Sequence, residues 1–87
     1  RLKKTWYEGG WKHYLYWYEH DPQIVKKIHR LLQDMERTPF SGLGKPEPLK
    51  GKYSGCWSRR ITDEHRLIYR VRDDVLEILA CMGHYDD

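Results

Sequence analysis

Cys56-Trp57-Ser58-Arg59-Arg60-Ile61, then Arg66-Leu67-Ile68-Tyr69-Arg70-Val71, then the run from Val75 to Met82 read as three successive strands. Thr62-Asp63-Glu64 and Asp73-Asp74 stand between them as turn-forming breaks, so neighbouring runs are expected to pair as antiparallel hairpins. Alternation sorts the middle run. Leu67, Tyr69 and Val71 share one face, while Arg66, Ile68, Arg70 and Arg72 share the other. The apolar set needs a layer to pack against, and the sequence before residue 40 supplies one.

Working backwards, Asp21-Pro22 is a helix-start signal, an N-cap carboxylate followed by proline at the first helical position. The helix it opens carries Ile24, Ile28, Leu31 and Met35 on one face, widened by Val25 and Leu32, and Thr38-Pro39 stops it. Upstream, Trp11, Tyr14, Leu15 and Tyr18 fall at i, i+3, i+4 and i+7, the stripe of a second amphipathic helix. Leu2 to Trp6 reads as a short first strand that Gly9-Gly10 breaks. From Phe40 to Lys52 the composition turns to Gly, Pro, Lys and Glu, a loop segment with room for a short extra strand near Leu49-Lys50. Strand, helix, helix, then a meander of strands defines an α+β fold, a two-helix hairpin on one face of a mainly antiparallel sheet. The arginines are then expected on the open face, away from the helices.

With 87 residues, the chain has room for a single domain, 1–87, and one modest core. Four Trp and seven Tyr fill out a hydrophobic fraction of 39%, so large side chains are expected at the few buried positions. The net charge is only +3, so any nucleic-acid contact must come from a local patch. Arg59, Arg60, Arg66, Arg70 and Arg72 cluster where such a patch could form. Cys56 and Cys81 sit in apolar runs and read as buried free thiols of a reducing compartment. The histidines are not spaced with the cysteines as metal ligands, and no metal or cofactor is expected. No apolar run approaches the roughly 20 residues of a membrane span, and no signal-peptide pattern is seen. A cytoplasmic, bacterial protein is the expectation.

Three pieces carry chemistry that a small core does not need. Glu47 stands between Pro46 and Pro48, each of which stiffens the backbone around it. Arg66 opens a strand, and His84-Tyr85 follows the last one. A carboxylate, a fixed cation and an imidazole make up a general base, a charge stabiliser and a general acid. Taken singly, Glu47 would pass for a solvated loop carboxylate, the arginines for a soluble sheet face and His84 for a surface residue. Trp57 and the helix aromatics read as core.

These residues in this order resemble the YoeB/Txe branch of the RelE/ParE superfamily of bacterial toxins. The resemblance is carried by the Trp11 to Trp17 helix, Val25-Lys26-Lys27-Ile28, Thr38-Pro39-Phe40 and Gly44-Lys45-Pro46-Glu47-Pro48-Leu49-Lys50. It continues through Ser54-Gly55, Trp57-Ser58-Arg59-Arg60-Ile61, Glu64-His65-Arg66-Leu67, Tyr69 and His84-Tyr85. It implies a RelE-like fold and a ribosome-dependent endoribonuclease that cuts mRNA in the decoding site, silenced by a YefM-like antitoxin. By the same resemblance Glu47 takes the proton from a ribose 2′-OH, Arg66 stabilises the phosphate charge, and His84 with Tyr85 helps the 5′-oxygen leave. No metal is required, because the nucleophile is the substrate's own hydroxyl. Lys45, Lys50, Arg59, Arg60 and His65 are then expected to touch mRNA or the ribosome, and a homodimer stays open.

Two departures from the family ending bear on the site. Met82-Gly83 stands where a basic or aromatic pair often precedes His-Tyr, so Gly83 is expected to loosen the tail. Asp86-Asp87 would repel RNA phosphate and favour the charged form of His84. An acidic antitoxin segment is expected either to cover the arginine face or to draw this tail away. A non-catalytic inhibitor of DNA gyrase, as ParE-like relatives are, is the alternative reading; it has no use for Glu47, Arg66 and His84 together. A catalytically dead homologue kept for antitoxin binding is a third.

Overall fold

The computed structural model describes residues 2–85. Strand β1 (Lys3–Trp6) leads into helix α1 (Glu8–His20) and helix α2 (Pro22–Arg37). Strands β2 (Glu47–Pro48), β3 (Trp57–Arg60), β4 (Arg66–Arg72) and β5 (Val75–Ala80) follow, with a 3₁₀ turn at Gly51–Tyr53. The sheet order is β1-β5-β4-β3-β2. The α+β architecture and the antiparallel meander are those expected from the alternation. β1 runs parallel to β5, from Lys3 opposite Val75 to Trp6 opposite Ile78, which makes the sheet mixed. No helix among the described residues is long and apolar enough to cross a membrane.

α2 forms where its signals lie. The Asp21 carboxylate accepts from the Gln23 and Ile24 amides at 3.1 and 3.3 Å, satisfying donors the first turn leaves open. Ile24, Val25, Ile28, Leu31, Leu32 and Met35 are all buried against the sheet. Full burial of side chains such as Ile28 and Leu31 contributes roughly 1.5–3 kcal/mol each. From the sheet, Leu67, Tyr69, Leu76 and Ile78 meet them in one core.

α1 departs from expectation twice. It begins at Glu8, so Gly9 and Gly10 lie inside the helix rather than breaking the chain before it. A Cβ on Gly10 would stand 2.8 Å from the Ile78 carbonyl oxygen, so glycine lets the helix backbone settle directly on β5. That contact also sets the rotation of α1. Gly10 and Trp17 are its buried residues, with His13 and Tyr14 half-buried beside them. The expected stripe is turned outward instead: Trp11, Leu15 and Tyr18 are 44%, 42% and 68% exposed. Only Tyr14 belongs to both faces.

The far face of the sheet is not open along its length. Ile68, Leu49, Cys56 and Ala80 form a second, smaller core there, flanked by Tyr53, Leu79 and Tyr85. A β-bulge lies beside it, since Ile68 faces Ala80 while Tyr69 faces Ile78 and Leu79 drops out of register. The short strand expected near Leu49-Lys50 lies at Glu47–Pro48 instead, on the sheet edge, where proline's missing N–H costs no ladder bond. Cys56 and Cys81 are both buried free thiols, and burial pushes Cys81 up to about 12.

Candidate active site

Glu47 owes its place to the edge strand and to the loop before it. It pairs opposite Ser58 of β3 and is exposed to solvent. The loop reaches this edge through Gly44 at φ +79° and Lys45 at φ +52°, a left-handed backbone that few non-glycine residues adopt. The Gly44 carbonyl is fixed by the Arg60 amide at 2.7 Å. The carboxylate therefore sits on backbone pinned at both ends.

Arg66 opens β4 directly opposite Arg60. Its Nη1 donates to the carbonyls of Thr62, Asp63 and His65 at 2.8, 3.2 and 3.2 Å. One edge of the guanidinium is thus spent on orientation, which leaves the side chain's charge fixed in direction.

After β5 the chain crosses to this end of the sheet. His84 is exposed and Tyr85 half-buried, with the Tyr85 ring set edge-on against Tyr53 at 5.4 Å. Burial, with Tyr53 and Cys81 adding to it, raises the Tyr85 phenol above its usual value, so its proton stays in place near neutral pH. Gly83, expected to loosen the tail, is held at both of its polar groups: its carbonyl accepts from the Arg66 amide at 2.9 Å and its amide donates to His65 Nδ1 at 3.0 Å. Its φ of +86° is the conformation glycine allows.

Glu47, Arg66, His84 and Tyr85 line one cleft of about 690 Å³. Lys45, Lys50 and Arg60 line it too, so four cations face one carboxylate around the imidazole. Ser58, a buried polar residue, contributes to its wall and escaped the sequence reading, although strand parity places it beside Arg60 on this face. Such a cleft attracts an anion and surrounds it with a carboxylate, an imidazole and fixed positive charge. Among the described residues no group of three His, Cys, Asp or Glu side chains is placed to hold a metal ion.

Two of the residues expected on RNA lie elsewhere. Arg59 is fully buried: its guanidinium meets Asp34 at 2.6 Å and donates to the carbonyls of Leu43, Thr38 and Ser41 and to the Tyr69 hydroxyl. Neighbours on a strand point to opposite faces, so with Arg60 in the cleft Arg59 had to point at the helices. His65 is turned away from the cleft, its ring edge-on to Trp17 at 4.8 Å. Farther along the sheet Arg70 and Arg72 are both committed to Glu77, at 2.9 and 3.2 Å. The broad arginine face thus contracts to the cleft. Asp86 and Asp87, and their expected effect on His84, lie outside the described residues.

The sequence from residue 6 to 85 matches the model of the YoeB-like toxin of bacterial type II toxin–antitoxin systems. The chain belongs to this family. Toxin YoeB of Escherichia coli K12 is 61% identical over 84 residues, covering 97% of this chain and 100% of the relative. The solved YoeB/ParE toxin from Agrobacterium tumefaciens superposes with a TM-score of 0.94 at 49% identity, over 97% of this chain and 100% of that one. Staphylococcus aureus YoeB, solved in complex with YefM and as a dimer, gives TM-scores of 0.89 and 0.90 at 41% and 42% identity, over 98% of this chain and 99% of each. This YoeB-family chain is thus a toxin of a toxin–antitoxin system.

Proposed function

We propose that the chain is a ribosome-dependent endoribonuclease that cuts mRNA in the decoding site and so stops translation. The observation that carries this reading is the convergence of Glu47, Arg66, His84 and Tyr85 on one basic cleft. In the reaction, the Glu47 carboxylate takes the proton of a ribose 2′-OH, and the 2′-oxygen bonds to the adjacent phosphorus. Arg66 stabilises the charge that builds on the phosphoryl oxygens. The bond from phosphorus to the 5′-oxygen breaks as His84 gives that oxygen its proton, with Tyr85 orienting the group. The products are a 2′,3′-cyclic phosphate and a 5′-hydroxyl, and no step is routed through a metal. General acid–base help supplies roughly 10²–10⁴-fold, and fixed charge at the transition state a comparable amount.

Lys45, Lys50 and Arg60 hold message or ribosomal RNA by phosphate contacts. Acting on the ribosome places the protein in the bacterial cytoplasm. Its antagonist is a YefM-like antitoxin with an acidic segment that folds over the cleft, and a homodimer like that of the S. aureus relative belongs to the same reading. The test is to add the protein to a bacterial translation extract and map the 5′ ends of a reporter mRNA. Cuts within codons in the decoding site are expected. Intact message together with blocked DNA supercoiling would overturn the reading in favour of gyrase inhibition.

A further inference from the structure

His84 stands four residues past the end of β5, beyond the last ladder bond. A terminal segment without sheet partners frays unless something ties it down. Here the backbone groups of two tail residues are tied by side chains and backbone from α1, from His65 just before β4, and from the first residue of β4. The Cys81 amide donates to His13 Nδ1 at 3.1 Å, and the Cys81 carbonyl accepts from Trp17 Nε1 at 2.9 Å. Two residues on, the Gly83 amide donates to His65 Nδ1 at 3.0 Å, and its carbonyl accepts from the Arg66 amide at 2.9 Å.

We infer that His65 and His13 are positioning residues, a pair of imidazole acceptors that latch the tail so that His84 faces Arg66 across the cleft. Neither ring lines the cleft, so neither touches substrate in this arrangement. An amide N–H only donates, so in both bonds Nδ1 must be the bare nitrogen, and any ring proton sits on Nε2. Burial lowers the pKa of His13, which favours the form that accepts. The two anchors are joined through Trp17, which donates to Cys81 and packs its ring edge-on against His65 at 4.8 Å.

His65 is the stronger of the pair because of its chain neighbour. His65 and Arg66 grip the two polar groups of Gly83 from consecutive positions, one by side chain and one by backbone. The residue offering phosphate stabilisation and the residue offering the proton are therefore registered through a single glycine. A shift of about 1 Å at a reacting group is enough to cost on the order of 10²-fold in rate. This inference rests on His84 being the proton donor of the reaction proposed above.

The test compares His65→Leu, which removes the acceptor, with His65→Asn, whose side-chain oxygen can accept near the place of Nδ1. In translating extract, His65→Leu is expected to lower kcat on the order of 10²-fold with KM nearly unchanged, and His65→Asn to recover most of that loss. The free protein is followed in parallel by the amide NMR signal of Gly83, which should move and exchange faster in the Leu variant alone. In the unsubstituted protein, a scalar coupling across the Gly83 N–H to His65 Nδ1 bond reports the latch without any variant. A folded Leu variant that cuts as fast as the parent, or an Asn variant no better than Leu, overturns the inference. If the parent cuts no message, the proposed reaction falls, and the Gly83 signals decide the latch alone: unchanged in the Leu variant, or uncoupled in the parent, they overturn it.

Discussion

The Nη1 of Arg59 lies 2.6 Å from a carboxylate oxygen of Asp34, on a side chain with no solvent exposure. The pair joins β3 to α2 and gathers in the loop that leads to Glu47, because the same guanidinium also binds the carbonyls of Thr38, Ser41 and Leu43. Asp34 in turn accepts from the Leu43 amide at 2.9 Å. That amide and the Arg59 guanidinium hold the Asp34 carboxyl below its usual value.

Adjacent arginines should therefore behave as opposites. Arg59→Ala leaves Asp34 only its longer, 3.5 Å pairing with exposed Arg37, strips three loop carbonyls of their donor, and is expected to cost about 3–5 kcal/mol in urea unfolding. Arg59→Lys should not rescue it, having no planar fork for the five oxygens that the guanidinium binds. Arg60→Ala should leave stability within about 0.5 kcal/mol while weakening ribosome binding and reducing its salt slope by about 0.7–0.9. Equal stability losses for the two would contradict the burial described here.

Glu47→Ala, Arg66→Ala and His84→Ala should each lower message cleavage by roughly 10²–10⁴-fold. Glu47 and His84 are exposed, so their removal should leave the unfolding midpoint nearly unchanged. The readout is 5′-end mapping with a melting curve on each sample. Three variants cutting at the parent rate would exclude this cleft as the site.

Stability should decline as the solution is made acid, in two stages. The first belongs to His13, whose folded pKa is below the ordinary 6.5, so its contribution is whole above 6.5 and lost as pH falls through the lowered value. Asp34 behaves likewise in a lower range, its contribution being whole above 3.8 and lost as its own folded value is passed. Urea midpoints measured from neutral pH to pH 5 should fall in the parent and flatten in His13→Gln. A parent midpoint that rises over that range would count against the sign.

Two neighbouring glycines offer a sharper contrast. A methyl at Gly10 would sit 2.8 Å from the Ile78 carbonyl oxygen, whereas at Gly9 the nearest contact is an ordinary 3.7 Å. Gly10→Ala should destabilise by about 1–3 kcal/mol, and Gly9→Ala should stabilise by up to about 1 kcal/mol through helix propensity. Thermal unfolding of the pair decides it, and stabilisation by both would refute the close docking of α1.

α2 and β4 were legible because their apolar positions repeat at one period and their ends carry cap and turn residues. α1 misled because aromatic residues occupy most of its circumference, so periodicity picked out the wrong face; the true choice fell to Gly10, whose fit against β5 is invisible in one dimension. Arg59 was misplaced by counting charges where strand parity alone separates it from Arg60. Glu47, Arg66 and His84 stand out in the sequence only through their motifs, and they line one cleft in the fold. His13, Trp17 and Asp34 left no sign, since a bond from a side chain to a distant backbone group imposes no spacing.

The pairing of β1 with β5 sets an order on synthesis. Lys3 must wait for Val75 before its strand has any neighbour, so the sheet closes late and through one of the longest-range contacts the chain makes. A nascent chain that has not reached β5 holds Glu47 and Arg66 but has neither a completed sheet to align them nor the segment that brings His84. Such a chain is unarmed. On the function proposed above, the activity is completed only late in synthesis, which gives the cell the whole of elongation in which to have an antitoxin ready.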